Sequence, residues 1–435
     1  MKQHSLMALV TRRAMLRSTA LAGTAAAGAA TMFGPWRHNR AYAQDKPIKI
    51  GLAHDASGQF ANSGQAERRG TVMAIEEFNA NGGVLGRQVE YVWADTETTP
   101  ATGSRVAERM ITREEVNFII GALQSGVANA MSQVCQKYGC VYFNTNSSSP
   151  TEAGENCHRT KFVWDGTGAN FARAAAKNAI DTFGAKWLLL TNDYVWGHNT
   201  SKATRDVATE YGAEILDEIL VPVGTRDFSP ILLKVQQIKP DVVAAAVGGD
   251  DFKVMRQQVN DMGLARSPAW LNNQQDWPDV YGLGIDAVFG VFGTTWYHKL
   301  DLPGVGEFVA RYRERWPDTR IDVPGNVTYN GYYAMRELLR VVEEVGSTNN
   351  IQVIKALEGR VMSAEDRMQH HDAVIDPDSH HVQQTVYMAT GNDAPVDETD
   401  YFKILTQADP EAVRDPDEAA CKLEAYEDTP DYQPS

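Results

Sequence analysis

Ile48-Lys49-Ile50-Gly51-Leu52-Ala53-His54 is a short apolar run that breaks into a polar turn at Asp55-Ala56-Ser57-Gly58. Val72, Ile75 and Phe78 follow at helical spacing, and Asn81-Gly82-Gly83 stops that helix. A strand-length apolar run, a turn and an amphipathic helix make one β-α unit. The unit repeats: strands are predicted at 88–95, 118–123 and 141–146, with helices at 101–113 and 127–138. This order gives a parallel sheet covered by helices on both faces.

The pattern then restarts. Helices are predicted at 171–183, 200–211, 228–238 and 252–262, alternating with strands at 187–191, 215–221, 241–247, 269–273 and 288–294. Three helices follow, at 305–316, 328–345 and 351–357, and a late strand at 383–388. Beyond Gly391 the chain is rich in Asp, Glu and Pro and is expected to be irregular. Two sheet units of similar size, with the chain recrossing between them, make a two-lobed α/β protein. Ligands bind such sheets in the loops at the carboxyl ends of the strands, and hinge closure around a ligand suits that arrangement.

The chain has 435 residues, 43% of them apolar and 22% charged, which is globular composition and longer than one ordinary core supports. After the N-terminal region no apolar stretch is long enough to cross a membrane. Residues 1–43 read as an export signal of the twin-arginine type. Arg12-Arg13 precedes a mild apolar run, and Ala41-Tyr42-Ala43 offers the small-x-small site of a signal peptidase. The expected location is therefore the periplasm, after cleavage near Ala43. The formal charge of the whole chain is −15. The leader contains Lys2, Arg12, Arg13, Arg17, Arg37 and Arg40 and no acidic residue, so the mature chain is more acidic still. Such a charge excludes nucleic acid and anionic membrane surfaces as partners.

Cys135, Cys140, Cys157 and Cys421 lie in the mature part. In an oxidising compartment four cysteines suggest two disulfides, with three possible pairings. The short spacing favours Cys135 with Cys140, which would leave Cys157 with Cys421 to tie the tail to the body. Free buried thiols are the alternative.

The segment from Ile50-Gly51-Leu52 to Ser57-Gly58, then Gly64, Gly70 and Asn79-Ala80-Asn81-Gly82-Gly83-Val84-Leu85-Gly86-Arg87, resembles the leucine/isoleucine/valine-binding family. These are the type I periplasmic receptors of ABC importers. The likeness continues through Ile120-Gly121-Ala122, Asn144-Thr145-Asn146-Ser147, Asp193-Tyr194-Val195-Trp196-Gly197 and Asp241-Val242-Val243, and covers nearly all of 48–388. It implies two Rossmann-like lobes with parallel central sheets, joined by a three-crossover hinge. The expected division is 46–164 plus 295–362 for the first lobe, 165–294 plus 363–405 for the second, and 406–435 as an acidic tail.

The family's ligand loops fall here on Ser57 to Gln59, Gln124-Ser125, Asn144, Thr145, Asn146 and Ser147. They also fall on the segment near Trp164, on the Tyr194–Trp196 loop, and on 272–277. Hydroxyls and free backbone N–H groups at Ser125, Thr145 and Ser147 suit a carboxylate or another oxygen-rich group. Any one of them could equally be a helix cap. Amino-acid-binding members hold the ligand's ammonium on acidic side chains, but the matching positions here fall near Gly168 and Gln274. Asp165, Asp250 or Asp276 could substitute. A buried ammonium without a carboxylate is costly, whereas Trp164, Tyr194, Trp196 and Trp277 suit a planar or uncharged ligand.

His370, His371, His380 and His381, with Asp372, Asp376 and Asp378, show no helical metal-ligand spacing and are read as a crossing loop. No nucleophile elbow, phosphate loop or Cys/His pair occurs at working spacing. The expectation is a non-catalytic, monomeric receptor without cofactor or metal. It captures an aromatic, amide-like or other non-amino-acid small molecule and delivers it to an ABC transporter permease. The alternatives are a branched-chain or polar amino acid held through Asp276 or Asp250, and a sensory module presenting its closed form to a membrane receptor.

Overall fold

Strand β1 (Ile48–His54) is buried at all but one position, as a strand covered on both faces must be. The computed structural model describes residues 46–434. The predicted export segment, with its paired arginines and its cleavage site at Ala43, lies outside the described residues. From β1 the chain runs through α1 (Ala61–Ala80), β2 (Val89–Asp95), α2 (Pro100–Thr112), β3 (Phe118–Gly121), α3 (Ser125–Tyr138), β4 (Val141–Asn144) and β5 (Lys161–Val163). These strands form one sheet in the order β2-β1-β3-β4-β5, every pair parallel.

A second sheet is built from α4 (Gly168–Phe183), β6 (Lys186–Asn192), α5 (Val195–Glu210), β7 (Glu214–Val221), α6 (Ser229–Ile238), β8 (Val242–Ala246), α7 (Gly249–Asp261), β9 (Ala269–Asn272), α8 (Trp277–Val280) and β10 (Val291–Thr294). Helices α9 (Val305–Arg315), α10 (Asn326–Val345) and α11 (Asn350–Leu357) then return to the first sheet's side, where α10 lies along α1. After them come β11 (Val361–Met362), α12 (Ala364–Arg367), β12 (Ala373–Ile375), β13 (Val382–Gln383), β14 (Val386–Gly391) and β15 (Phe402–Ala408). The second sheet has the order β15-β14-β10-β9-β8-β6-β7, parallel from β7 to β10 and antiparallel at β14 and β15.

The glycine-rich motif acts as local geometry. Gly83 has φ +84°, and a Cβ there would stand 1.9 Å from the Arg87 carbonyl, so only glycine allows the turn to fold on itself. Asn79 then pins the incoming strand by exchanging two hydrogen bonds of 2.8 Å with the backbone of Val89. Gly70 serves packing instead. A Cβ there would meet the Thr328 carbonyl at 2.0 Å, so α1 and α10 approach backbone to backbone.

The expected irregular tail and crossing loop are corrected in three places. β15 lies beyond Gly391 and covers the edge of β14; Phe402 is buried against Phe292, Tyr297 and Trp277. The histidine-rich segment forms a small antiparallel sheet, β11-β12-β13. Helix α5 begins at Val195, directly after Tyr194.

Cys157 and Cys421 are disulfide-bonded, and Cys135 and Cys140 are free and buried. The expected Cys135–Cys140 bridge is therefore not formed. Cys140 follows the left-handed cap at Gly139 and donates its N–H to the Cys135 carbonyl. Both thiols sit in the apolar layer between α2, α3 and the first sheet, where burial pushes the Cys140 thiol up. Among the described residues no helix is long and apolar enough to cross a membrane.

Candidate functional site

The parallel strands of both sheets end towards one crevice enclosing about 400 Å³, open solvent included. Its lining comes wholly from segments that follow strand ends: Phe60 after β1, Leu123 after β3, Asn146 and Ser148 after β4, then Tyr194 and Trp196 after β6. Val247, Gly248, Gly249 and Phe252 follow β8, and Gln274, Gln275, Asp276 and Asp279 follow β9. This is where parallel α/β sheets place ligands, because strand-to-helix loops present free backbone groups and side chains there. The rims touch around it. Gln59 donates to the Gly248 carbonyl at 2.9 Å and to Asp251 at 3.3 Å, and Ser148 donates to Gln274.

One wall is aromatic. Tyr194 lies 6.0 Å from Phe60 and is stacked at 6.1 Å on Trp196, centroid to centroid. The floor is acidic. Asp276 accepts from Asn326 at 2.6 Å, while Gln274 donates to Asp165. Burial, with Asp165 beside it, pushes the Asp276 carboxyl up to about 7. Burial and the neighbouring Asp276 push Asp279 up to about 7 as well. Burial raises Asp165 to about 6, against the hydrogen bonds it receives from Thr295 and Gln274. Among polar atoms, Trp196 Nε1 and Gln275 Nε2 are buried at the lining without a hydrogen-bond partner.

Of the residues expected from the sequence, the structure brings Asn146, Tyr194, Trp196, Gln274 and Asp276 together at this crevice. Ser57 is exposed on the rim, its carbonyl accepting from Thr98, and Gln59 bridges the two rims. Gln124 caps α3 with its own side chain, and Asn144 closes a turn onto Ser147. Ser125, Thr145 and Ser147 are buried behind the lining. Asp250 pairs with Lys253 at 2.6 Å.

Trp164 and Trp277 are core residues instead. Trp164 packs on Phe143 and under Arg367. Trp277 is surrounded by Tyr281, Tyr297, His298, Tyr401 and Phe402. Large rings next to strand ends fill the core as readily as the cleft. Phe60, Phe252 and Asp279 were not anticipated; the Asp276-x-x-Asp279 spacing across the start of the short α8 was the available signal. The four histidines bond separately, His370 to Tyr387, His371 to Thr385, His380 to Glu358 and His381 to Glu418. No group of His, Cys, Asp and Glu that could hold a metal occurs among the described residues.

Two sheets with helices on both faces and a crevice at their facing strand ends define the type I two-lobed binding fold. The chain belongs to the periplasmic binding protein family, whose model matches residues 47–395. It is similar to Leu/Ile/Val-binding protein homolog 7 of Brucella melitensis, 27% identical over 330 residues, which cover 72% of this chain and 81% of that one. A periplasmic binding protein from Burkholderia mallei superposes with a TM-score of 0.80 at 23% identity, over 86% of this chain and 98% of the other. A solute-binding protein of an ABC transporter from Rhodopseudomonas palustris, solved with 3,4-dihydroxybenzoic acid, superposes with a TM-score of 0.76 at 21% identity, over 86% and 99%.

Proposed function

We propose that this chain is the exported solute-binding component of an ABC importer. It closes its two lobes on one small molecule and hands it to a membrane permease. The carrying observation is that every residue lining the crevice stands just after a strand of one sheet or the other. A solute held there contacts both lobes at once, so its binding free energy favours the closed form. The lobes are taken as 46–164 with 295–362, and 165–294 with 363–405, with residues 1–43 as the removed leader and the mature protein acting as a monomer. The relatives whose names record leucine, isoleucine and valine binding, and the neighbour solved with an aromatic acid, support a role in capture rather than catalysis.

The ligand reading rests on the Tyr194–Trp196 wall facing Phe60 and Phe252, which favours a small molecule with a flat or apolar body over a strongly hydrated one. Thermal-shift screening of residues 44–435 tests it. A solute at a hundred times its dissociation constant should add about 2.7 kcal/mol of stability. Tyr194→Ala should abolish the shift of any solute that binds in this crevice. Chemical turnover of the bound solute would sink the reading.

A further inference from the structure

Most of the groups that the sequence offers for a ligand carboxylate are already occupied by the protein's own carboxylates. The N–H groups of Leu123 and Gln124, at the start of α3, donate to Asp55 at 2.7 and 2.8 Å. Thr145 donates its hydroxyl to Glu67. Ser147 donates to Glu152 at 3.0 Å and is hydrogen-bonded to the Ser125 hydroxyl at 2.9 Å. Asp55, Glu67 and Glu152 are fully buried, Glu152 in a 2.8 Å ion pair with Lys161, so an incoming carboxylate would find these donors taken and would have to break buried hydrogen bonds to use them.

The crevice side has the opposite character. Asp276 and Asp279 line it, and among the described residues neither forms a salt bridge with a cationic side chain. Lys253 is spent on Asp250, and Arg256 lies over the Phe289 ring while donating to the Phe289 carbonyl and to Gln275 Oε1. That last bond leaves Gln275 Nε2 without a partner in a side chain 2% exposed, and Trp196 Nε1 is likewise unpartnered in a residue 6% exposed. Both donors line the crevice. Two carboxylates demand a cation, the ring wall favours one by cation–π attraction, and two neutral donors beside those carboxylates fit an uncharged oxygen.

We propose that the solute is a small organic ammonium carrying a neutral hydrogen-bond acceptor, a hydroxyl or amide oxygen, and no carboxylate. This rests on the crevice being the ligand site, as proposed above. Matched pairs test it: glycinamide against glycine, leucinamide against leucine, and phenylalaninamide against phenylalanine, with ethanolamine and neutral acetamide and benzamide added, by thermal shift and titration calorimetry on residues 44–435 at pH 8.

At least one amine without a carboxylate should stabilise the protein while its carboxylated partner does not. Asp276→Asn and Asp279→Asn should each weaken that binding at least tenfold. The ligand-free variants should melt no lower than the wild type, because each loses one of two like charges, so weakened binding cannot be put down to misfolding. Stabilisation by glycine, leucine or phenylalanine equal to that of its amide would overturn the exclusion of a carboxylate, and with it the proposal, and leave the binding-protein reading standing. If no member of either series moves the melting temperature, the cation assignment fails. A response to neutral solutes alone, abolished by Tyr194→Ala, would then keep the crevice as the binding site.

Discussion

Asp276 and Asp279 stand where a charge is hard to keep: half-buried and buried, side by side, with Asp165 and Asp250 also acting on them, and with Lys253 and hydrogen bonds from Asn326 and the Gly249 backbone opposing. Folding raises their pKa to about 7. Between the ordinary carboxylate value and that one, the folded state holds more protons than the unfolded state. Their contribution to stability is therefore greatest in acid and is lost as pH rises to about 7. Glu358 and Glu424 work the other way. Hydrogen bonds from His380 and Tyr426, and from His158 and the Arg159 backbone, outweigh their burial and hold them down to about 2. What they contribute is present above the ordinary range and lost as pH falls towards 2. For an ammonium solute the direction is clear. Binding needs the aspartates ionised, so affinity should rise from pH 6 to pH 8, and calorimetry at pH 6 should record proton release on binding. In Asp276→Asn that slope should shrink, and a pH-independent affinity in the wild type would argue against these carboxylates as the contact.

At the level of elements, two features bear weight that single contacts do not. The first is the α1–α10 pair. Gly70→Ala would drive a methyl group into the Thr328 carbonyl, which the two helices can relieve only by separating. A loss of about 2 kcal/mol or more is expected in urea melts. The second is the tail after β15. It is tied to the first sheet's side by Cys157–Cys421, by Glu424 on His158 and Arg159, and by Tyr432, whose hydroxyl donates to the Val116 carbonyl at 2.7 Å. The disulfide closes a sequence separation of 264 residues. Cys421→Ser should therefore cost about 2–5 kcal/mol, and a reductant should lower the melting point of the wild type but not that of the variant. The tail also shows where sequence reading fails. Its Asp, Glu and Pro content resembles disorder, yet Phe402 and Ile404 supply the alternation of an edge strand, and a covered β14 edge and a disulfide are what order it.

Across the whole molecule, a few polar bridges join the rims of the crevice, and on the proposed function they would hold the closed form. Gln59 joins the segment after β1 to that after β8, and Asn199 on α5 reaches Ser149 and Thr151 at 2.9 and 3.0 Å. Gln59→Ala removes the first bridge, and Gln59 is not itself among the residues lining the crevice. It should weaken ligand affinity about three- to tenfold, mostly through faster release, since one such bond contributes about 0.5–1.5 kcal/mol to the closed form alone. Stopped-flow dissociation of a bound solute would measure it, and an unchanged release rate would mean closure is set elsewhere.

By itself the sequence determined the alternation of strands and helices, the parallel sheets and the strand-end loops as the place to look. These follow from local periodicity and from turn residues such as Gly83, whose geometry is set within a few residues of chain. Only the tertiary structure decided which aromatic rings face the crevice and which fill the core, that Asp279 joins Asp276, and that Thr145 and Ser147 are taken up by buried carboxylates and Ser125 by Ser147. Those outcomes depend on partners from distant segments, Glu67 with Thr145 and Asn326 with Asp276 among them, and no local spacing encodes which of two neighbouring side chains will be turned inward.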